Sequence, residues 1–498
     1  MNKEITNQKR KSSSRVIRSM ERTFLERKLN NWPGVLLFTF ISVAMGILLA
    51  RNVTLGIGVF GVILGLAVIV ACLLSTEAGF YINLVYCFFV YQVSRMFFGD
   101  ELQAGVITDV LTLSMLFSLF IKGVSLRKSF NQFTHSTIVV LIILNFSYGA
   151  LELFNPEGHS FGAWLQAIRR SFETLIFLFI AFQIMHNKAS IRRYIGWLFV
   201  LCTLVAFYGC IQQWHGLFDY ERTWVMADEV RFGLVFINGE FRKFSTFNDP
   251  TSFGSMMAAC SVFFTVLALG LRDKGIRRTL LGGVVLMLLA MAYSGTRTAN
   301  VMLLAGFGMF TLLSIHKRNT RIFAWIAAVA FLAVLYVPIY DNNTINRFRS
   351  SFVGSQDESY KVRELSRAYV RPYMQSHPFG GGLATTGSLG TALNPGHFLA
   401  GFQTDSGYLQ MALEIGWIGL IIICVLFFFV LKGGAQAYFH CPDEEMKAVY
   451  AAATSAIFCY YIGMFAQNTL GNITDMAFYY PLIAIILRFK KYDVRDNG

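Results

Sequence analysis

Charge is what this chain lacks. Only 14% of its 498 residues are Asp, Glu, Lys or Arg, whereas 55% are hydrophobic and 15% aromatic, a balance that excludes a soluble globular fold of this length. The cysteines lack pattern too. Seven of the eight (Cys72, Cys87, Cys202, Cys210, Cys260, Cys424 and Cys459) lie inside apolar runs without metal-ligand spacing, which argues against a disulfide framework or a metal centre. No repeat of roughly 20 to 50 residues is visible, so a solenoid is not expected. Nor does an inverted repeat between the halves point to a transporter.

What is abundant is apolar length. A bilayer crossing takes roughly 20 apolar residues, and such windows recur near 33 to 50, 54 to 75, 79 to 97, 103 to 121, 137 to 153, 171 to 187, 193 to 213, 251 to 270, 278 to 293, 298 to 315, 321 to 340, 408 to 432, 446 to 467 and 472 to 488. They predict an all-α, polytopic integral membrane protein with about fourteen transmembrane helices. The net charge of +14 does not call for nucleic acid, because the basic residues sit in short loops between apolar runs, where the orientation rule of membrane proteins puts them.

The basic segment 1–32 is too long and too polar for a signal-peptide n-region and reads as a cytoplasmic tail, either disordered or lying on the anionic membrane surface. With that tail inside, alternate loops are basic as required: Lys122 to Lys128, Lys188 to Arg193, Arg272 to Arg278, His316 to Arg321, Lys432 to Lys447 and Arg488 to Lys491. Both termini are then cytoplasmic, the second as a short tail over 489–498. Helices 1 to 11 occupy 33–340, with an outer loop at 214–250; a large extracytoplasmic loop spans 341–407; helices 12 to 14 fill 408–488.

The unusual polar residues all fall outside on this topology. Arg297 follows a short outer hairpin, where a lone Arg is disfavoured; drawn toward the bilayer centre it costs roughly 2.5 to 3.5 kcal/mol, unless it snorkels to headgroups or faces an anion inside the bundle. Phe241-Arg242-Lys243-Phe244-Ser245-Thr246-Phe247-Asn248-Asp249-Pro250 leads into a helix, with Asn248 or Asp249 as N-cap and Pro250 at the first helical position. A helix N-terminus beside Arg242 suits an anion. Arg363, Arg367 and Arg371 share one helical face, where their mutual repulsion is relieved either by a multivalent anion or by solvent and Glu364.

Three further pieces complete the set. His377-Pro378-Phe379-Gly380-Gly381-Gly382 permits close backbone approach, as a binding loop or as a turn only. His397 is an isolated loop histidine, structural or catalytic. Asp405 stands at the entry to the next helix and Glu414 about two and a half turns inside it, a depth that calls for a partner.

In this order the pieces resemble the O-antigen ligase and polymerase superfamily, membrane proteins that join lipid-linked glycans on the outer face of the bacterial plasma membrane. The resemblance covers roughly 232–420. It rests on Arg242 through Gly254, on Ser294 to Ala299 (similar to a Ser-x-Ser-Arg hairpin), on Arg363 fourteen residues before His377-Pro378-Phe379-Gly380, and on Tyr408-Leu409 followed by Glu414-Ile415-Gly416-Trp417-Ile418-Gly419. It implies a glycan donor on undecaprenyl diphosphate, a hydroxyl acceptor, inversion at the anomeric carbon, and no metal, nucleotide or other cofactor. Partners implied are the bilayer, a flippase and a chain-length regulator. Arg242, Arg297 and Arg363 become the expected diphosphate ligands, because preformed cations stabilise charge developing on a leaving group, with Lys243, Arg367, His377 and Tyr408 beside them. Asp405, His397 and Glu414 are the expected catalytic groups.

One departure matters. Ligases of the superfamily carry His-Asn just before Tyr-Leu, with the His proposed to activate the acceptor, whereas this chain has Asp405-Ser406. An Asp is the weaker base, and His397 is an alternative to it. The departure favours a polymerase of O-antigen, capsule or exopolysaccharide repeats over a ligase. A lipid-linked oligosaccharide flippase, the alternative of another class, needs a polar path to the cytoplasmic side, where the sequence offers none.

Overall fold

The computed structural model describes residues 32–99, 102–121, 126–237, 239–336, 346, 349 and 358–489. The basic N-terminal segment, most of 337–357, the end of the C-terminal tail and the side chain of Arg363 lie outside the described residues. The described chain is helical almost throughout: α1 (Trp32–Arg51), α2 (Val53–Leu74), α3 (Thr76–Phe97), α4 (Ala104–Ile121), α5 (Leu126–Thr134), α6 (Thr137–Leu151), α7 (Phe161–Ile184), α8 (Lys188–Trp214), α9 (Asp219–Met226), α10 (Glu229–Val235), α11 (Pro250–Gly270), α12 (Lys274–Tyr293), α13 (Arg297–Ser314), α14 (Arg318–Tyr336), α15 (Glu358–Ser376), α16 (Gly387–Leu393), α17 (Gly407–His440), α18 (Glu444–Gly463) and α19 (Ile473–Leu487). A two-stranded antiparallel ribbon, β1 (Phe236–Ile237) and β2 (Glu240–Phe241), interrupts them.

Each apolar window of the sequence contains a helix, so the all-α class holds. Among the described residues eight helices are long and apolar enough to cross a membrane, and two further apolar helices are shorter. The crossings recognisable by length and composition are thus fewer than about fourteen, although the protein is a multi-pass membrane protein. Helix α7 starts at Phe161, ten residues before its apolar window, because Ser160 caps it by accepting from the Ala163 amide. The polar stretch Gln166 to Arg170 is therefore the opening of a helix and not a loop.

The chain divides into two compact units, one of residues 1–84 and 105–132, the other of 85–104 and 133–498. In the first, Thr76 donates to Ser118 across a buried contact (2.9 Å). In the second, α11 is the central post, packed against α8, α12, α13 and α18 and buried along most of its length. Three loops that charge patterning put on one side meet at one end of this unit: Lys188 pairs with Asp443, Arg192 with Glu445 and Lys317 with Glu444. Exposed pairs of this kind contribute about 0.2 to 1 kcal/mol each; their value is in showing that these loops share an end.

The opposite, loop-rich end is organised by a break in α17. At Gly416 the backbone turns to φ 65°, ψ −170°, which frees carbonyls that an unbroken helix would consume. The turn after α15 takes them up: the amides of Gly381 and Gly382 donate to the carbonyls of Leu413 and Glu414 (2.8 and 3.0 Å), and the Trp417 amide donates to Pro378 (2.9 Å). Tyr148 donates its hydroxyl to the remaining carbonyl, Ile415 (3.0 Å). The fit is too close for side chains. A Cβ on Gly416 would sit 2.1 Å from the Pro378 oxygen, and one on Gly380 (φ 81°) would sit 2.5 Å from the Gly416 nitrogen. The glycine run is thus a clasp on a broken helix, the turn-only reading with a partner supplied.

Gly416→Ala should therefore destabilise the protein by of order 1–3 kcal/mol through backbone strain alone, with the clash added. Thermal unfolding in detergent should show a marked drop for this variant, while Gly282→Ala, whose Cβ would meet nothing within 4 Å, leaves the midpoint unchanged or higher. Equal midpoints for the two variants would refute the clasp.

Candidate functional site

The segment between β2 and α11 dips into the bundle as irregular backbone, which needs internal hydrogen-bond partners. They are supplied in full view. Gln212 accepts from the amides of Phe244 and Ser245 (3.3 and 2.8 Å), and Arg95 donates to the carbonyls of Phe247 and Ser245. The Arg95 guanidinium lies over the rings of Phe244 and Trp224, 4.7 and 5.1 Å from their centroids. Glu221 completes the network, accepting from Tyr208 and Gln212 (both 2.8 Å) and from the Phe218 amide. Sequence reading passed over Arg95, although an Arg inside an apolar helix is itself a signal.

Arg242 is buried, 9% exposed, and its donors are spent on the protein. Nε donates to the Ser294 carbonyl (2.9 Å), Nη1 to Leu234 (3.1 Å), and Nη2 to the hydroxyls of Thr296 (3.0 Å) and Thr251 (3.4 Å). It therefore fastens the 294–296 hairpin to the start of α11 and stands one residue from Arg297. Lys243 is also buried and donates to the Phe241 carbonyl; burial lowers its pKa.

The N-termini of α11 and α13 differ. Asp249 caps α11, accepting from the amides of Thr251 (2.8 Å) and Ser252 (2.9 Å), with Pro250 at the first helical position. That N-terminus already holds an anion, its own, so the expected anion site there is taken. Helix α13 has no side-chain cap: the Thr296 hydroxyl donates instead to Pro250 (2.9 Å). Its first residue is Arg297, which is exposed. An Arg at a helix N-terminus opposes the macrodipole, and an anion is favoured at such a position.

A chain of side-chain contacts crosses the same end. Asn472 donates to Ser252 (2.8 Å), Gln467 to Ser255, Asn468 to Gln410 (3.0 Å), and Gln410 to Glu414 (3.3 Å). Glu414 in turn accepts from the Thr386 hydroxyl and from the amides of Ala384 (3.3 Å) and Thr386 (3.4 Å). The partner that its depth demands is the 384–386 loop, not an arginine. Ser406 caps α17 and Asp405, half-buried, directly precedes it. The Tyr408 hydroxyl donates to the Tyr461 carbonyl (3.0 Å), tying α17 to α18.

Helix α15 packs through Val370, Tyr373 and Met374 onto Leu399, Leu409 and Leu413. Arg367 and Arg371 are exposed, which fits the solvated reading. The backbone of Arg363 lies two turns before Val370 on the same stripe. His377 stacks on Tyr373 (4.0 Å between centroids) and approaches Glu157 (3.8 Å).

His397 is buried, and its Nδ1 accepts from the Leu399 amide (3.0 Å). In the neutral ring the proton is then on Nε2, so this histidine offers a donor outward and has no free lone pair to act as a base. Burial, then the neighbouring His159, hold its pKa below the usual range, which keeps the ring neutral. Its Nε2, Asn394 Oδ1 and the Tyr373 hydroxyl lack hydrogen-bond partners among the described residues. Each such buried atom costs about 1 to 3 kcal/mol. Among the described residues no group of His, Cys, Asp and Glu has the geometry to hold a metal ion.

No curated protein matches the chain. A family model described as O-antigen ligase matches residues 282–424, a segment that runs from α12 through the 294–296 hairpin, α13, α15 and the glycine clasp into the break of α17. The segment that carries the clasp and the exposed Arg297 is thus similar to the O-antigen ligase family, which supports the resemblance to the O-antigen ligase/polymerase superfamily.

Proposed function

We propose that this protein is a glycosyltransferase of the bacterial plasma membrane that joins undecaprenyl-diphosphate-linked glycan repeats on the outer face. The observation that carries the reading is the uncapped N-terminus of α13 with Arg297 on its first turn. Beneath it on the same helical stripe, at steps of 7, 11 and 14 residues, come Leu304, Gly308 and Thr311. They line an apolar groove of about 530 Å³ between α13 and α14, with Phe307, Phe323 and Phe331. At 1.5 Å per residue the groove starts about 10 Å below Arg297 and continues past about 20 Å. A cation at headgroup level above an apolar slot suits a prenyl diphosphate.

In the reaction, the acceptor oxygen attacks the anomeric carbon as the bond to the diphosphate breaks, and the acceptor proton passes to a carboxylate. Asp405 is the base proposed, since Glu414 has its oxygens engaged and His397 presents a donor. Arg297 stabilises the charge gathering on the diphosphate, and Arg363 is proposed beside it. Arg242 is assigned to holding the hairpin. Arg367 and Arg371 are assigned to solvent, Tyr408 to packing. Asp405 in the place of the ligase histidine favours a polymerase, which works with a flippase and a chain-length regulator.

Three measurements test this. Purified protein given lipid-linked repeats should yield a ladder of lengths; a single transferred unit would make it a ligase, and no transfer would remove the reading. Arg297→Ala should lower the transfer rate about 10² to 10³-fold with little change in thermal midpoint, whereas Arg242→Ala should lower rate and midpoint together; the reverse pattern would exchange their roles. Asp405→Asn should abolish transfer in folded protein, and full activity would eliminate it as the base.

A further inference from the structure

Away from Arg297, a cleft of about 220 Å³ opens between the turn Glu152–Phe154 after α6, the first turn of α7 and the 383–394 segment; its lining includes Glu152, His159, Phe161, Trp164, Leu383 and Asn394. Phe161 and Trp164 present paired rings, 5.5 Å between centroids. Phe161 is exposed, and Trp164 is fixed by its indole N–H, which donates to the Gly149 carbonyl (3.2 Å). Opposite them Asn394 is 5% exposed, with Oδ1 lacking a partner among the described residues. His159 completes this wall, and behind it, outside the lining, stands the ring of His397, 6.2 Å from that of His159.

The combination is specific. Aromatic faces next to a few fixed polar groups make a ligand site, and here the lining offers the Asn394 amide oxygen, the His159 imidazole and the Glu152 carboxyl. A pyranose ring carries C–H faces that lie on aromatics and hydroxyls that both donate and accept. An anion is disfavoured by Glu152, and a purely apolar ligand would leave Asn394 unpaired. The volume is below the roughly 300 to 1,000 Å³ of larger ligand pockets and suits one small ring.

We infer that this cleft is a sugar-binding subsite which holds one unit of the glycan apart from the bond being made, with Trp164 and Phe161 as platform and Asn394 reading a hydroxyl. The choice of a sugar rests on the glycan-transfer reading above. Binding here keeps a glycan chain engaged while its reducing end changes partners.

The test is direct binding to the full-length protein in nanodiscs, using the methyl glycosides of glucose, galactose, N-acetylglucosamine and rhamnose in saturation-transfer NMR. At least one should give a signal, which Asn394→Leu and Trp164→Ala weaken tenfold or more and Trp164→Phe largely keeps. Should the first two variants fail to fold, a diazirine-bearing glycoside on unmodified protein should label residues 152–164 or 383–397. Silence from all four glycosides, or labelling elsewhere, overturns the subsite. Binding without any transfer from lipid-linked repeats would remove the glycosyltransferase reading and leave the subsite; transfer without binding would do the opposite.

Discussion

Backbone that leaves a helix within reach of lipid must find its hydrogen-bond partners inside the protein. Irregular backbone of this kind lies at 242–249 and at Gly416, and everything proposed about the chemistry depends on how those groups are satisfied. At 242–249 the partners are side chains: Gln212 takes two amides and Arg95 gives to two carbonyls. At Gly416 the partners are backbone, with a glycine turn laid against the break. Side-chain partners permit a loop to carry charged residues past them, whereas a backbone clasp leaves no room even for a Cβ. The first break consequently bears the cations Arg242 and Lys243, and the second bears none.

That difference also separates arginines that look alike in sequence. Arg95 and Arg242 are buried and spend their donors on carbonyls and hydroxyls, so each fixes a segment of chain. Arg297 is exposed at a helix N-terminus without a side-chain cap, where its charge is unfavourable to the helix that bears it. Of the three it is the one for which a ligand is proposed.

The helices were legible because burial in lipid demands long apolar runs, and the cap of α11 because Asp-Pro before an apolar run has one local explanation. The sharing of one end by the loops at 188, 317 and 443 was legible from charge alone. The break at Gly416 was not, since nothing in Glu414-Ile415-Gly416-Trp417 says that a turn 35 residues earlier will supply the missing hydrogen bonds. For the same reason Glu414 read as a reactive acid: its partners, Thr386 and the amides beside it, belong to a loop whose return to α17 is a tertiary event. The state of His397 was hidden more simply. Its tautomer is set by the Leu399 amide, a contact with no signature in composition or spacing.

The glycine clasp joins the His-Pro-Phe-Gly and Glu-Ile-Gly-Trp elements through backbone contacts on either side of Gly416. Two short motifs that are individually weak thus constrain one another, since either alone would leave carbonyls of α17 unpaired or a glycine turn without a seat. The clasp also fixes Glu414, which fixes the 384–386 loop, from which the chain proceeds to Asn394 and His397. On the proposed reading the histidine and carboxylate of these motifs belong to the frame, and Arg297 and Asp405 are the reacting groups. Both motifs lie inside the segment, residues 282–424, that matches the O-antigen ligase model.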